Sequence, residues 1–94
     1  MMAPLSRPTL TGKVRLRFDR ISGNYLLLLP ERGLILNGSG GLIVQLCTGS
    51  NTLSMMIDSL LIAYPDCPRI ILAEDLREFL HELQNRGLIS EAGS

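Results

Sequence analysis

The hydrophobic periodicity changes from two residues to 3.6 near Asn37, and this change constrains the fold more than any other feature of the chain. Before it, segments of strand length lie between turn residues: basic and apolar side chains alternate strictly at 13–18, and apolar runs occupy 25–29 and 33–36. After it, apolar side chains recur at helical spacing within 42–47, 53–64 and 72–83. The pattern predicts a winged-helix-like α+β fold in the order β-β-β-α-α-α, with a three-stranded antiparallel sheet followed by three helices.

The length of 94 residues allows one domain, which we predict at residues 13–89. Prolines, threonines and Gly12 without an apolar period predict a flexible N-terminal arm at 1–12, and residues 90–94 are expected to be a C-terminal tail. The chain has two cysteines and neither a signal-peptide pattern nor an apolar run of membrane-spanning length. We therefore expect a cytoplasmic protein without a membrane partner.

Charge is distributed unevenly, although nine basic and nine acidic side chains balance overall. The first 32 residues hold six basic and two acidic side chains, and the remainder hold three and seven. The predicted third helix is rich in acids, whereas a helix that enters the DNA groove needs the opposite sign. We therefore expect no nucleic-acid partner. A winged-helix nucleic-acid-binding protein remains the alternative function.

No residue pattern in the chain indicates catalysis, a metal or a cofactor. The glycine-rich segment 38–41 has Ile43 where a dinucleotide-binding loop needs its third glycine. His81 is the only histidine, and Cys47 falls on an apolar helical stripe, which is typical of a core thiol. The residues predict neither an enzyme nor a cofactor site.

The second and third predicted strands are apolar on both faces. Leu26 and Leu28 alternate with Tyr25, Leu27 and Leu29, so one layer of helices cannot cover both sides. Self-association, peptide binding by strand addition, and the N-terminal arm folding over the sheet would each supply the missing cover.

A set of residues and short motifs spread over roughly residues 13–89 has a spacing that is more specific than any one motif. The set is Arg15-Leu16-Arg17-Phe18-Asp19, Leu29-Pro30-Glu31, Leu36-Asn37, Ile43, Leu46-Cys47, Gly49, Thr52, Ile57, Tyr64-Pro65, Asp75, Phe79-Leu80, Leu83 and Arg86-Gly87-Leu88-Ile89. In these residues the chain resembles the PqqD family. It departs from the family at Gly38–Gly41, where helix-favouring residues are more usual, and at Thr48.

The resemblance implies a non-catalytic peptide chaperone of pyrroloquinoline quinone (PQQ) biosynthesis, built as a RiPP recognition element. Such a protein binds the ribosomal precursor peptide PqqA and presents it to the radical-SAM enzyme PqqE, which cross-links a Glu and a Tyr of the peptide. It holds no cofactor itself. A homodimer is also compatible with this function.

The resemblance further implies where the peptide binds, as an added strand against the third strand in a groove completed by the third helix. Small Gly33 would allow a close backbone approach. The basic residues Lys13, Arg15 and Arg17 are a candidate face for the enzyme partner. The peptide-binding residues implied are Arg32, Gly33, Leu34, Ile35, Leu36 and Asn37 on the strand, and Leu72, Leu76, Arg77, Leu80 and Leu83 on the helix.

Overall fold

The structure is a computed structural model that describes residues 7–36 and 38–91. A three-stranded antiparallel sheet, formed in chain order by Arg15–Asp19, Asn24–Leu28 and Gly33–Leu36, precedes three helices, so the predicted α+β class is confirmed. Within the described ranges, no helix has the length and apolar content needed to cross a bilayer. The elements are β1 Pro8–Leu10, β2 Arg15–Asp19, β3 Asn24–Leu28, β4 Gly33–Leu36, α1 Gly40–Gln45, α2 Leu53–Ala63, α3 Arg69–Asn85 and β5 Ile89–Glu91.

The register of the sheet sorts its side chains onto two faces. Leu16, Leu27 and Leu34 are cross-strand partners and pack into the core beneath the helices. The next row of partners, Arg17, Leu26 and Ile35, therefore points to the opposite side, which we call the outer face. The predicted alternation of burial holds for Arg15, Leu16 and Arg17, whereas Phe18, expected on the buried side, is 48% exposed.

Lys13 differs from the prediction, because it lies in a turn before the first strand of the sheet. The Val14 N–H donates to the Thr11 carbonyl over 3.0 Å and closes this turn. Lys13 therefore does not continue the row of Arg15 and Arg17 along β2.

Thr52 caps the start of α2, and Gly87 follows the end of α3. The Thr52 hydroxyl accepts a hydrogen bond from the Met55 N–H over 3.2 Å at the start of α2. After α3, Gly87 has a φ of 73°, and the Leu88 N–H donates to the Leu83 carbonyl over 3.0 Å. This left-handed glycine reverses the chain and directs Leu88 into the core.

Pro8–Leu10 and Ile89–Glu91 form a second sheet, within the segments predicted as a flexible arm at 1–12 and a tail at 90–94, of which 1–6 and 92–94 lie outside the described residues. β1 pairs with β5 in antiparallel register, with Leu10 opposite Ile89 and Pro8 opposite Glu91. The Thr11 hydroxyl also donates to the Gly87 carbonyl over 3.0 Å. The prediction is wrong for these residues because three-residue strands are too short to show a period, and their pairing depends on where α3 ends.

The core lies between the inner face of the sheet and the three helices. No buried polar or charged residue is found among the described residues. The buried apolar residues are Val14, Leu27, Leu36, Ile43, Val44, Cys47, Met56, Ile57, Leu60, Leu72, Leu76, Leu80, Leu83, Leu88 and Ile89.

Two glycines at the start of α1 allow the helix to lie close to its neighbours. A Cβ atom at Gly41 would lie 3.0 Å from Cδ2 of Tyr25 on β3. A Cβ atom at Gly40 would lie 3.3 Å from Cζ of Phe79 on α3. The glycine-rich segment thus serves close packing, although the same residues lower the intrinsic stability of the helix.

Replacing Gly41 with alanine is expected to destabilise the fold, although alanine is the better helix former. The methyl group would overlap the Tyr25 ring at 3.0 Å, and overpacking of this kind costs about 1–3 kcal/mol in the free energy of unfolding. Chemical denaturation followed by circular dichroism measures the loss. A matched Gly33→Ala control should change stability much less, because its nearest contact is 3.5 Å, from Leu28 Cδ2. A stabilised Gly41→Ala variant would contradict the close-packing explanation.

Candidate peptide-binding edge and its surroundings

β4 is an edge strand, and no described strand pairs with its outer side. At the turn before it, the Leu29 N–H donates to the Arg32 carbonyl over 2.8 Å, which makes these two residues a hydrogen-bonded pair. Such pairs alternate along an antiparallel ladder, so Leu34 is the next β4 residue bonded to β3. The amide and carbonyl groups of Gly33 and Ile35 consequently point away from β3, toward the open side of the sheet.

The two edges of the sheet differ in charge. β2 carries the exposed residues Arg15 and Arg17, and charged edge residues discourage the addition of another strand. β4 has the sequence Gly-Leu-Ile-Leu and no charge of its own. Ile35, in the middle of β4, is 61% exposed. Of the two edges, β4 is therefore the one suited to pair with an incoming strand.

The predicted strand residues have different positions around this edge. Arg32 is exposed in the turn, and Leu34 packs against the core. Leu36 is buried, so substitutions there would test folding before binding. Asn37 lies outside the described residues.

The four leucines predicted for the groove wall are core residues instead. Leu72, Leu76, Leu80 and Leu83 are at most 7% exposed and belong to the central cluster. They cannot offer their side chains to a peptide unless the core opens, so this part of the predicted groove is corrected.

Arg77 also lies away from β4, on the side of α3 that faces α2. It borders an open depression of about 550 Å³ whose lining includes Leu53 and Ile57 from α2. This position does not support a contribution of Arg77 to the wall beside β4, because the depression that it lines lies between α2 and α3.

Phe79 on α3 approaches the end of β4, and it was not among the predicted site residues. A Cβ atom built on Gly40 would lie 3.3 Å from Phe79 Cζ and 3.8 Å from Leu36 Cβ, so both side chains border the same glycine. Phe79 is half-buried and lines a shallow depression of about 280 Å³ together with Asp75, Glu78 and Glu82. An aromatic residue beside an acidic cluster was the signal available in the sequence.

The outer face of the sheet is apolar and lies opposite the helices. Leu26 and Leu28 are partly exposed and do not belong to the core cluster or to the residues packed against it. Ile35 continues this apolar surface to the edge of β4. Along the β2 side, Arg15 and Arg17 are the cross-strand partners of Leu28 and Leu26.

The nucleophilic and titratable groups show no arrangement for catalysis within the described chain. Burial raises the pKa of the Cys47 thiol to about 12, so this group is protonated at neutral pH. Its Sγ donates to the Ile43 carbonyl over 3.3 Å. His81 is exposed on α3, and no cluster of metal-ligating side chains occurs in the described ranges.

The exposed surface of α3 is unsuited to nucleic acid. Glu74, Asp75, Glu78 and Glu82 are exposed along it. Carboxylates repel a phosphate backbone, so this geometry does not favour the alternative function.

Comparison with known proteins identifies a family. A family model described as coenzyme PQQ synthesis protein D (PqqD) matches residues 24–89. A protein of Rhodopseudomonas palustris strain TIE-1 named PqqA binding protein is 33% identical over 87 residues, which cover 93% of this chain and 84% of the relative.

Two solved structures are also similar to the chain. The solution NMR structure of the PqqD part of Methylobacterium extorquens PqqCD, described as a functional, stand-alone RiPP recognition element, aligns with a TM-score of 0.74 and 31% identity. The alignment covers 89% of this chain and 88% of that one. The crystal structure of PqqD from Xanthomonas campestris aligns with a TM-score of 0.55 and 26% identity, over 94% and 97% of the two chains.

Proposed function

The chain belongs to the PqqD family, and we propose that it is a non-catalytic chaperone that binds the precursor peptide PqqA and presents it to the radical-SAM enzyme PqqE for Glu–Tyr cross-linking. The observation that carries this proposal is the uncharged, unpaired edge of β4. Relatives named PqqA binding protein support PqqA as the ligand, and the similarity to a solved RiPP recognition element supports a role in peptide binding.

Strand addition explains how the edge binds a peptide. The main-chain groups of Gly33 and Ile35 would pair with the peptide backbone, which gives affinity with little dependence on peptide sequence. Specificity comes from side chains at the two sides of the added strand. At the end of β4, Phe79 offers an apolar contact, and Asp75 and Glu78 offer carboxylates to basic residues of the peptide. Glu82, beside them, is already paired with Arg86 over 3.0 Å.

Presentation requires a second surface for the enzyme. Arg15 and Arg17 are exposed on the outer face and form no salt bridge with another described residue, although Arg17 interacts electrostatically with Asp19. Their exposure supports a role as an enzyme-partner face. Lys13 adds charge from the preceding turn. A chaperone that holds peptide and enzyme together raises the local concentration of the peptide at the active site and needs no chemistry of its own.

Titration of the isotopically labelled protein with synthetic PqqA tests this function. We expect saturable amide shifts centred on β4 and on the Phe79 side of α3, with weaker affinity at higher salt because carboxylates contribute. Duplex DNA at the same concentrations is the control and should produce no comparable shifts. A folded protein that shows no saturable shifts with PqqA would reject the proposed ligand.

A further inference from the structure

We propose that the open groove between α2 and α3 is a docking site for an acidic amphipathic helix of a further protein partner. The groove has a volume of about 550 Å³, which is enough to hold several side chains of a partner. It lies on the flank of α3 that faces α2, away from Phe79 and β4, so its occupant leaves the peptide edge free. The inference thus goes beyond the proposed function.

The groove presents aliphatic surface that no described segment covers. Ile57 of α2 is 7% exposed and forms the floor, with Leu53 and Ala73 partly exposed beside it. Ile70 of α3 is 67% exposed at the side of the groove. Covering such surface with a partner's apolar side chains stabilises a complex.

Both charged residues of the lining are arginines, and they differ in their pairing. The Arg69 guanidinium donates to Asp58 Oδ1 over 2.7 Å and to Ser54 Oγ over 3.5 Å, which ties this arginine to α2. Arg77 forms no hydrogen bond or salt bridge with any described residue. Arg77 is therefore the arginine that can bind a carboxylate of the partner.

The helix dipoles add to the charge of Arg77. Leu53 and Ile70 belong to the first turns of α2 and α3, and both line the groove. Neither first turn contains an acid, so no carboxylate of its own turn offsets the positive end of either dipole. The charge of the groove thus favours an acidic partner over a basic one.

The groove recognises side chains, because its walls are two helices. No described strand edge borders it, so an incoming strand could not pair there as it could at β4. A helix satisfies its own main chain and lays a row of apolar side chains into a groove, which is a common mode of recognition. An acid beside that row would reach Arg77.

A synthetic helix tests the docking site. The probe is a stapled helix of about 14 residues, or four turns, with leucines along one face and glutamates beside them. Titration of the isotopically labelled chain with this acidic helix should give saturable methyl shifts at Leu53, Ile57 and Ala73. A control helix with lysine in place of each glutamate should bind at least about tenfold more weakly, because the charged hydrogen bond is lost and like charges meet.

Substitutions in the chain separate the groove from the rest of the surface. Arg77→Glu should weaken binding of the acidic helix at least about tenfold and strengthen binding of the lysine helix. Arg20→Glu makes the same change in the turn between β2 and β3 and should alter neither affinity. Ile70→Ser should weaken binding of the acidic helix. Ile62→Ser should not, because Ile62 is an 84% exposed residue of α2 outside the groove lining.

Failure of this inference can be told apart from failure of the proposed function. A chain that binds PqqA but shows no saturable shifts with the acidic helix would reject the docking site alone. Equal affinity for the acidic and lysine helices would reject an acidic partner. Displacement of the acidic helix by PqqA would assign the groove to the precursor peptide. Sedimentation that shows a dimer, lost in Arg77→Glu, would assign it to a second copy of the chain.

Discussion

Proline at position 35 is expected to reduce the affinity of the folded chain for PqqA by at least about tenfold. The substitution removes the Ile35 N–H, which points to the open side of β4, and its ring obstructs a strand on that side. One lost hydrogen bond accounts for about 0.5–1.5 kcal/mol, and the obstruction of neighbouring pairs adds to it. The pairing of β3 with β4 should survive, because proline is tolerated where the N–H of an edge strand faces solvent.

Ile35→Thr is the matched control for this experiment. Threonine keeps the main-chain N–H and the β-branched shape but removes the larger aliphatic side chain. The affinity of the Ile35→Thr variant for PqqA should stay within about threefold of the affinity of the unmodified chain. Amide spectra of both variants verify the fold, and calorimetry measures the binding. If Ile35→Pro remains folded and binds PqqA normally, the peptide does not add to the edge of β4.

The sheet and helices could be predicted because their periodic segments are long enough to recognise or are marked by a capping residue. Alternation in β2 and the apolar stripes of α2 and α3 are local properties of the sequence. The position of Thr52 before a helical stripe similarly marked the start of α2. The uncovered outer face followed from the same reasoning, since Leu26 and Leu28 alternate with inward-facing residues.

The remaining features depend on contacts between distant segments. β1 and β5 each have three residues and become recognisable only when the two ends of the chain meet. The apolar stripe of α3 identified its buried leucines but could not indicate which flank faces β4. The close approach of Phe79 to Gly40 shows which flank this is. The two residues are 39 positions apart in the sequence, so no local pattern encodes their contact.

Replacing Leu76 with alanine is expected to lower the free energy of unfolding by about 2–5 kcal/mol while leaving the affinity of the folded protein for PqqA unchanged. Leu76 is fully buried in the central cluster, so the truncation leaves a cavity. Domains of this kind have total stabilities of about 5–15 kcal/mol, so the loss is a large share of the whole. Urea denaturation measures the stability, and calorimetry at low temperature measures the binding of the folded fraction.

Phe79→Leu is the informative partner of Leu76→Ala, because it should show the opposite pattern. Leucine retains apolar contact near Gly40 at a cost of less than about 1.5 kcal/mol, whereas the aromatic surface offered to the peptide is lost. Arg77→Ala, on the flank that faces α2, should alter neither quantity appreciably. If Leu76→Ala abolished binding in a protein that remained folded, or if Arg77→Ala did so, the peptide would contact the flank of α3 that the family resemblance implied. Loss of binding in Phe79→Leu alone would assign the contact to the flank beside β4.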